Sequence, residues 1–467
     1  MQRISLFGLG RIGAPLAACL AGRGFNVVGV DLDERKVAAV NKGIEPIYEP
    51  GLQDMMDRAG DRLSATTDAD EAVLGTDASF VVLPTPSEPD GRFSLRHVLS
   101  AVETIANSLR RKQGPHVVVL GSTVTPGSID NHVVPALERS SGRRVGDDVG
   151  LCYYPEFVAL GETIHGLLHP DFFLIGESDK ASGEALASTL TKLAENDPPI
   201  VRMSFVNAEI TKLALNTSVT TKITFANMLA AICEHQPGAD VDAVTSALGL
   251  DSRIGGRYLK GALGYGGPCF PRDNLALASY ARSLGVPPLL PEATNEANEQ
   301  RLREVLSITR SKLPAGGAVA VLGLAYKPET NVVEQSAGLA LARGLAQAGP
   351  PVVGYDPVAG EAAREELEGR VTVTETLDEC VSQADVIIVA VPWAEFATLG
   401  ERLPRDGRPR VVIDCWRILD PATFATSADY VPLGVGPKPA IPDVGRAEVP
   451  PSAPTSFSEA AEPALED

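Results

Sequence analysis

Gly8-Leu9-Gly10-Arg11-Ile12-Gly13 is the stretch that decides the fold. This G-x-G-x-x-G run follows Arg3 to Gly8 (RISLFG), which reads as a short buried strand. It opens onto Pro15 to Ala21, which reads as a helix. In that setting Gly8 permits a tight turn, Gly10 lets the backbone approach a pyrophosphate, and Gly13 lets helix and strand pack closely. The helix N-terminus then offers free N–H groups and a positive dipole end to the phosphates. Asn26 to Asp31 (NVVGVD) reads as a second strand, with Asp31 standing 18 residues after Gly13. A carboxylate there accepts a hydrogen bond from a ribose 2′-OH and repels a 2′-phosphate, so NAD is expected rather than NADP. Arg35 and Lys36 lie nearby and moderate that preference.

Working outward, further strands are expected at Ala78 to Leu83, Val117 to Leu120 and Gly150 to Tyr154, with a helix at Leu95 to Leu109. Such alternation argues for a parallel sheet covered on both faces. From Asn207 to about Leu248, Ile210, Leu213, Ala214, Ile223, Ala226, Leu229 and Ala230 recur at helical spacing, predicting one long helix or two with a buried face. A Gly-dense stretch follows, then a helix over Asp273 to Leu284. Ala318 to Leu322, Gly323, a helix over Gly338 to Ala348, Val352 to Tyr355, Val386 to Val391 and Val411 to Asp414 restart the first pattern. The fold class is therefore α/β: two doubly wound Rossmann-like domains joined by a central, mainly helical domain with a long helix.

Composition narrows the function without naming it. The 467 residues carry 41 basic and 60 acidic side chains, a net charge of −19, which disfavours a nucleic-acid partner. Apolar runs such as Val386 to Val391 are far shorter than the roughly 20 residues of a membrane span. Met1 leads straight into strand-like residues without a signal peptide, and the six cysteines show no paired CxxC spacing. The expectation is a reduced, cytoplasmic protein with no metal site.

One cysteine differs from the others. Cys19, Cys152 and Cys233 sit in apolar patterns and read as small buried hydrophobes. Cys269 lies in Gly264-Tyr265-Gly266-Gly267-Pro268-Cys269-Phe270-Pro271-Arg272-Asp273, a Gly/Pro loop leading into a helix. The glycines are expected to admit a ligand closely, and the helix N-terminus to lower the thiol pKa. Asp273, one turn on, could act as a base.

With these stretches in view, the chain resembles the nucleotide-sugar dehydrogenases: the UDP-glucose, UDP-N-acetylmannosamine and GDP-mannose 6-dehydrogenases. GLGRIGAPLA, VDLDERKVAAVNKG, PIYEPGL, LPTPSEPDGRFSL, GSTVTPGS, YPEF, NAEITKLALNT, KITFANMLAAIC, LGLDSRIGG, GYGGPCFPRD, LGLAYKPET and YDP carry the likeness from Arg3 to about Leu419. The resemblance implies a four-electron oxidation of a sugar 6-hydroxymethyl to a carboxylate with two NAD. Cys269 would capture the aldehyde as a thiohemiacetal and then carry a thioester. Lys212 and Asn216, spaced i, i+4 on one helix face, would stabilise the oxyanion. Asp273 would position or activate water, and Thr123 and Glu156 would organise the water that takes the first proton. Gly8, Gly10, Arg11, Ile12, Gly13, Asp31, Lys36, Thr85, Pro86, Ser122, Thr123 and Lys327 would bind the cofactor. Phe157, Lys212, Asn216, Arg253, Tyr258, Tyr265, Gly266, Gly267 and Lys327 would bind the nucleotide sugar, with Arg253 reaching a partner subunit across a homodimer or higher homo-oligomer.

The resemblance also implies the domains: 1–203 for NAD, 204–312 central and dimerising with the Cys loop, and 313–435 for the sugar nucleotide. The Pro-rich acidic stretch 436–467 is expected to be disordered. Departures from the family pattern cluster around the ligands. Leu160 stands for an acid, Glu334 for an arginine, Met228 for a glutamate, and Arg417 is displaced by one position, where its long side chain is expected to compensate. UDP-glucose is the default substrate, with a UDP-N-acetylhexosamine or GDP-mannose as alternatives. A simpler hydroxyacid dehydrogenase needs neither Cys269 nor a second α/β domain. A non-catalytic nucleotide-binding relative would have little reason to keep the whole Cys–Asp–Lys–Asn set.

Overall fold

The structure, a computed structural model, describes residues 1–438. The expected disorder of 439–467 lies outside the described residues. Eight strands form the first sheet: β1 (Arg3–Phe7), β2 (Asn26–Val30), β3 (Leu63–Thr66), β4 (Ala78–Val81), β5 (Val117–Leu120), β6 (Gly150–Tyr153), β7 (Phe173–Glu177) and β8 (Ile200–Met203). Their order is β3-β2-β1-β4-β5-β6-β7-β8, parallel throughout except between β6 and β7. Leu6, Phe80 and Leu120 are fully buried because helices cover both faces, which is why these strands read as apolar runs. The order reverses between β1 and β4, and that switch point opens a crevice at the carboxyl ends of the strands.

The second sheet repeats the winding. Strands β9 (Val319–Leu322), β10 (Val352–Tyr355), β11 (Thr372–Val373), β12 (Val386–Val389), β13 (Val411–Asp414) and β14 (Asp429–Pro432) run in the order β11-β10-β9-β12-β13-β14, all parallel. Two apolar clusters, one around Val321 and Ile388 and one around Ile387 and Phe396, lie on its two faces.

Between the sheets the expected helical stretch is two helices, Phe205–His235 and Val241–Gly249, broken at Pro237-Gly238. The next helix runs Phe270–Ser283, starting three residues before Asp273 because Pro271 suits a first turn. A 24-residue helix, Leu289–Lys312, follows that the sequence reading did not single out. Buried Asn227 fixes the chain leading to the Cys loop: its Nδ2 donates to the Leu263 carbonyl (3.0 Å) and its Oδ1 accepts from the Ala262 N–H (2.8 Å).

Arg417 does not grip a ligand, contrary to expectation. Its buried guanidinium makes a two-pronged pair with Asp242 (2.8 Å each) and donates to the carbonyls of Gly261 and Leu433 (2.7 Å each). The bonds to Asp242 and Gly261 tie the second sheet to the central helical domain, and the bond to Leu433 stays within the sheet's own part of the chain. The tail expectation also needs correcting at its start. The Gly436 N–H donates to Ala239 (2.9 Å), and the Pro437 carbonyl accepts from Gly238 (2.9 Å), so these residues are held by the helical domain.

Candidate active site

The glycine turn after β1 divides its labour. Gly8 adopts a φ of 101°, and a Cβ there would strike the Val82 carbonyl. At Gly13 a Cβ would run into the Gly8 carbonyl, so that glycine serves the contact between helix Gly13–Gly22 and the strand. Around Gly10 nothing lies within 4 Å of the same position, leaving a backbone surface open to a phosphate. Asp31 follows β2, and its Oδ2 accepts from the Leu9 N–H (2.7 Å) while Oδ1 accepts from Asp33 (2.9 Å). Oδ1 keeps a lone pair for a ribose hydroxyl. Lys36 Nζ stands 3.5 Å from Asp31, and Arg35 pairs with Asp33 instead. An open Gly10 and an acceptor-rich Asp31 fit NAD, which supplies a hydride acceptor when bound.

The other cofactor candidates are less uniform. Thr85 is buried and donates its hydroxyl to the Thr123 carbonyl (2.7 Å), joining the segments after β4 and β5, and Pro86 beside it is exposed. The Ser122 hydroxyl accepts from the Leu83 N–H (2.9 Å) and donates to the Leu83 carbonyl (2.8 Å), a strand-end bridge. Lys327 lies 3.5 Å from Glu162.

The chemistry-bearing residues come from the long helix, the loop after β6 and the Cys loop. Lys212 and Asn216 lie one turn apart, both buried. Lys212 Nζ donates to the Glu156 carbonyl (2.5 Å) and sits 4.7 Å from the centre of the Phe157 ring. Asn216 Nδ2 donates to Asp273 Oδ2 (2.6 Å), so one of its two amide hydrogens is committed to holding Asp273. Asp273 Oδ1 is buried without a partner. Burial pushes the Asp273 carboxyl up, against the charges of Lys212 and Arg272. Glu156 shows the same pattern more sharply. Its Oε1 is buried and unpartnered, and burial pushes its carboxyl up to about 8, against a hydrogen bond from Tyr154 and the Lys212 charge.

Cys269 is the exposed thiol among the described cysteines and caps the helix Phe270–Ser283. Its pKa moves opposite to expectation. The surrounding protein displaces water and the Asp273 charge repels a thiolate, so the thiol is pushed up despite Lys212, Arg272 and its place at a helix start. Exposed Glu334 pushes it further the same way.

The glycines beside Cys269 also serve another end. A Cβ at Gly266 would strike the Gln335 carbonyl, and at Gly267 it would lie 2.6 Å from the Tyr326 ring. They admit the loop 324–336 of the second sheet. Glu329 and Gln335 on that loop hold positive φ of 61° and 53°, a conformation unusual for such residues. The Tyr265 hydroxyl donates to Asn295 (2.6 Å) and accepts from Asn274 (3.1 Å).

Phe157 and Tyr258 line a recess of about 560 Å³ next to Glu156. Arg253 stands 87% exposed and pairs with Asp251. Leu160, where an acid was expected, is buried.

Sequence reading missed three supports. Arg272 donates to the Thr85 carbonyl (3.0 Å) and lies 4.8 Å from the centre of the Phe93 ring, linking the Cys loop to the cofactor side. Buried Asn274 bonds Thr217, Tyr265 and Asn295. Tyr154 faces Glu156. Adjacency to Asp273 and Glu156 was the available signal, but their partners are remote in sequence.

Comparisons with known proteins agree with this geometry. Residues 2–194 match the NAD binding domain of the UDP-glucose/GDP-mannose dehydrogenase family, 206–300 its central domain, and 320–421 its UDP binding domain. The chain is 40% identical to the UDP-glucose 6-dehydrogenase AglM of Haloferax volcanii over 436 residues, 92% of this chain and 100% of that one. It is 35% identical to the GDP-mannose 6-dehydrogenase of Azotobacter vinelandii, covering 86% and 94%. A solved UDP-glucose dehydrogenase from Pyrobaculum islandicum superimposes with a TM-score of 0.84 at 34% identity, covering 92% and 97%. The chain belongs to the UDP-glucose/GDP-mannose dehydrogenase family and is an NAD-dependent nucleotide-sugar 6-dehydrogenase.

Proposed function

We propose that this enzyme oxidises the 6-hydroxymethyl of UDP-glucose to the carboxylate of UDP-glucuronate, using two NAD and one water. The observation that carries the reading is that the exposed Cys269 feels the charges of both Lys212 and Asp273, with Asn216 holding Asp273. Glu156, with a carboxyl raised to about 8, and Thr123 hold the water that takes the hydroxyl proton in the first oxidation. Lys212 has N–H groups left after bonding Glu156, and these face the developing oxyanion. The Cys269 sulfur then bonds the aldehyde carbon, and the thiol proton ends on the carbonyl oxygen as a thiohemiacetal. Loss of a hydride from carbon and a proton from oxygen leaves a thioester. Water held at Asp273 Oδ1 adds, the C–S bond breaks, and sulfur recovers a proton.

The domain reading 1–203, 204–312 and 313–435 goes with this proposal, as does a cytoplasmic homodimer or higher homo-oligomer. Phe225, Met228 and Ile232, about half exposed along the long helix, support assembly. A panel of UDP-glucose, UDP-N-acetylhexosamines and GDP-mannose, followed by NADH yield, tests the substrate and the chemistry together. Two NADH per UDP-glucose, and no acid from Cys269→Ala, are expected. One NADH per substrate overturns the thioester step, and turnover of another sugar alone overturns the substrate.

A further inference from the structure

Glu209 is a buried titratable group that the proposed reaction does not use. It sits on the long helix three residues before Lys212, with no exposed surface. Both its oxygens leave that helix and cross to the first sheet's domain: Oε2 accepts from the Gly127 N–H (2.6 Å) and Oε1 from the Ile129 N–H (2.9 Å). Gly127 and Ile129 end the segment that begins at Ser122 and Thr123 after β5. There the chain enters a π-helical turn, Ile129–Val133, an irregularity that continues into helix Val134–Ser141.

A second group marks the same line. Tyr153, at the end of β6, is fully buried with its hydroxyl unpartnered, and the charges of both Glu209 and Asp273 act on it. A carboxylate kept in such a place desolvates at a cost, so it has to return something that an apolar residue would not. What it returns is directional. It pins the Thr123 segment, on one domain, to the helix that carries Lys212 and Asn216, on another.

We propose that Glu209 is a positioning residue: it sets the Thr123 segment relative to Lys212 and Asn216, so that the group handling the first proton and the groups facing the oxyanion keep one spacing. The inference rests on the reaction proposed above. Displacement of reacting groups by about 1 Å can cost on the order of 100-fold in rate.

The test compares Glu209→Gln and Glu209→Ala with the wild-type enzyme in steady-state oxidation of UDP-glucose by NAD. Glutamine keeps one acceptor and turns an N–H₂ toward the other backbone donor, whereas alanine removes both. Expected is a fall in kcat of about tenfold for glutamine and about 100-fold for alanine. KM for UDP-glucose should stay within about twofold, and the rate at which iodoacetamide alkylates Cys269 should not change. A folded glutamine variant with wild-type kcat overturns the proposal. So does a parallel change in KM and alkylation rate, or loss of the fold in both variants, because each gives Glu209 a purely structural role. Cys269→Ala run alongside separates the two claims. If it still forms acid, the proposed reaction fails; if it does not while Glu209→Ala turns over normally, only the positioning role fails.

Discussion

The two sheets have the same winding and put it to opposite uses. Both place a glycine with φ near 100° after the first strand, Gly8 at 101° and Gly323 at 94°, each crowded against the fourth strand's continuation. Each has a second glycine, Gly13 or Gly338, whose Cβ would strike the first one's carbonyl. Both set an aspartate after the second strand to accept from the first turn: Asp31 from Leu9, and Asp356 from Leu324 and Ala325 (2.8 and 2.9 Å). The difference lies between the glycines. In the first sheet the turn is short and Gly10 opens onto empty space. In the second, the loop 324–336 fills that place and reaches over the Cys loop. Asp356 also accepts from Val358, Ala359 and the Trp393 indole, so its carboxylate is enclosed. A turn left open in one sheet is, in the other, a long loop packed against the Cys loop.

Substitutions can break that comparison. The largest effect is expected at Gly323→Ala, where both φ and the clash with Val391 forbid a side chain: most of the soluble protein should be lost, read as expression yield and Tm. Asp356→Asn comes next. Several N–H groups lose a charged acceptor, at about 3 kcal/mol, visible in urea unfolding with NAD affinity unchanged. Gly10→Ala should do the reverse, leaving Tm within about 2 °C and raising the NAD dissociation constant at least about tenfold. If Gly10→Ala destabilises and Asp356→Asn instead weakens NAD, the division of labour between the sheets is wrong.

A smaller effect follows from Glu156. Its folded carboxyl is raised from an ordinary value near 4.5 to about 8, so the folded state holds the proton more tightly than the unfolded chain does. Its contribution to stability is full below about 4.5 and is lost as pH rises through about 8. Thermal melts of Glu156→Gln should show a shallower decline in Tm across that window than wild type. An identical decline would mean that Glu156 does not titrate there.

The fold was legible because periodicity is local. Apolar strand runs and the Gly8–Gly13 spacing need no partner to be recognised, and the Cys loop announced itself through its own glycines. What escaped the sequence depends on residues far along the chain. Gly266 and Gly267 were read as ligand approaches, but their neighbours are Gln335 and Tyr326. The Cys269 thiol was expected to fall, as a helix start suggests, and rises because burial and Asp273 outweigh that dipole. Arg417 looked like a displaced ligand contact, and only folding brings Asp242 and Gly261 to it. Helical spacing did put Lys212 and Asn216 on one face, but not what each would bond.

Arg417 has one more consequence. Its ties to Asp242 and Gly261 lock the second sheet to the helices that present the Cys loop, so those parts travel as a single jaw. In the reaction proposed above, the first spent cofactor has to leave while the sugar is still clamped. The hydrogen bonds of Glu209 and Arg272 carry the same tie on to the first sheet, so the open edge of that sheet, at Gly10, is where a cofactor can be exchanged without disturbing the clamp.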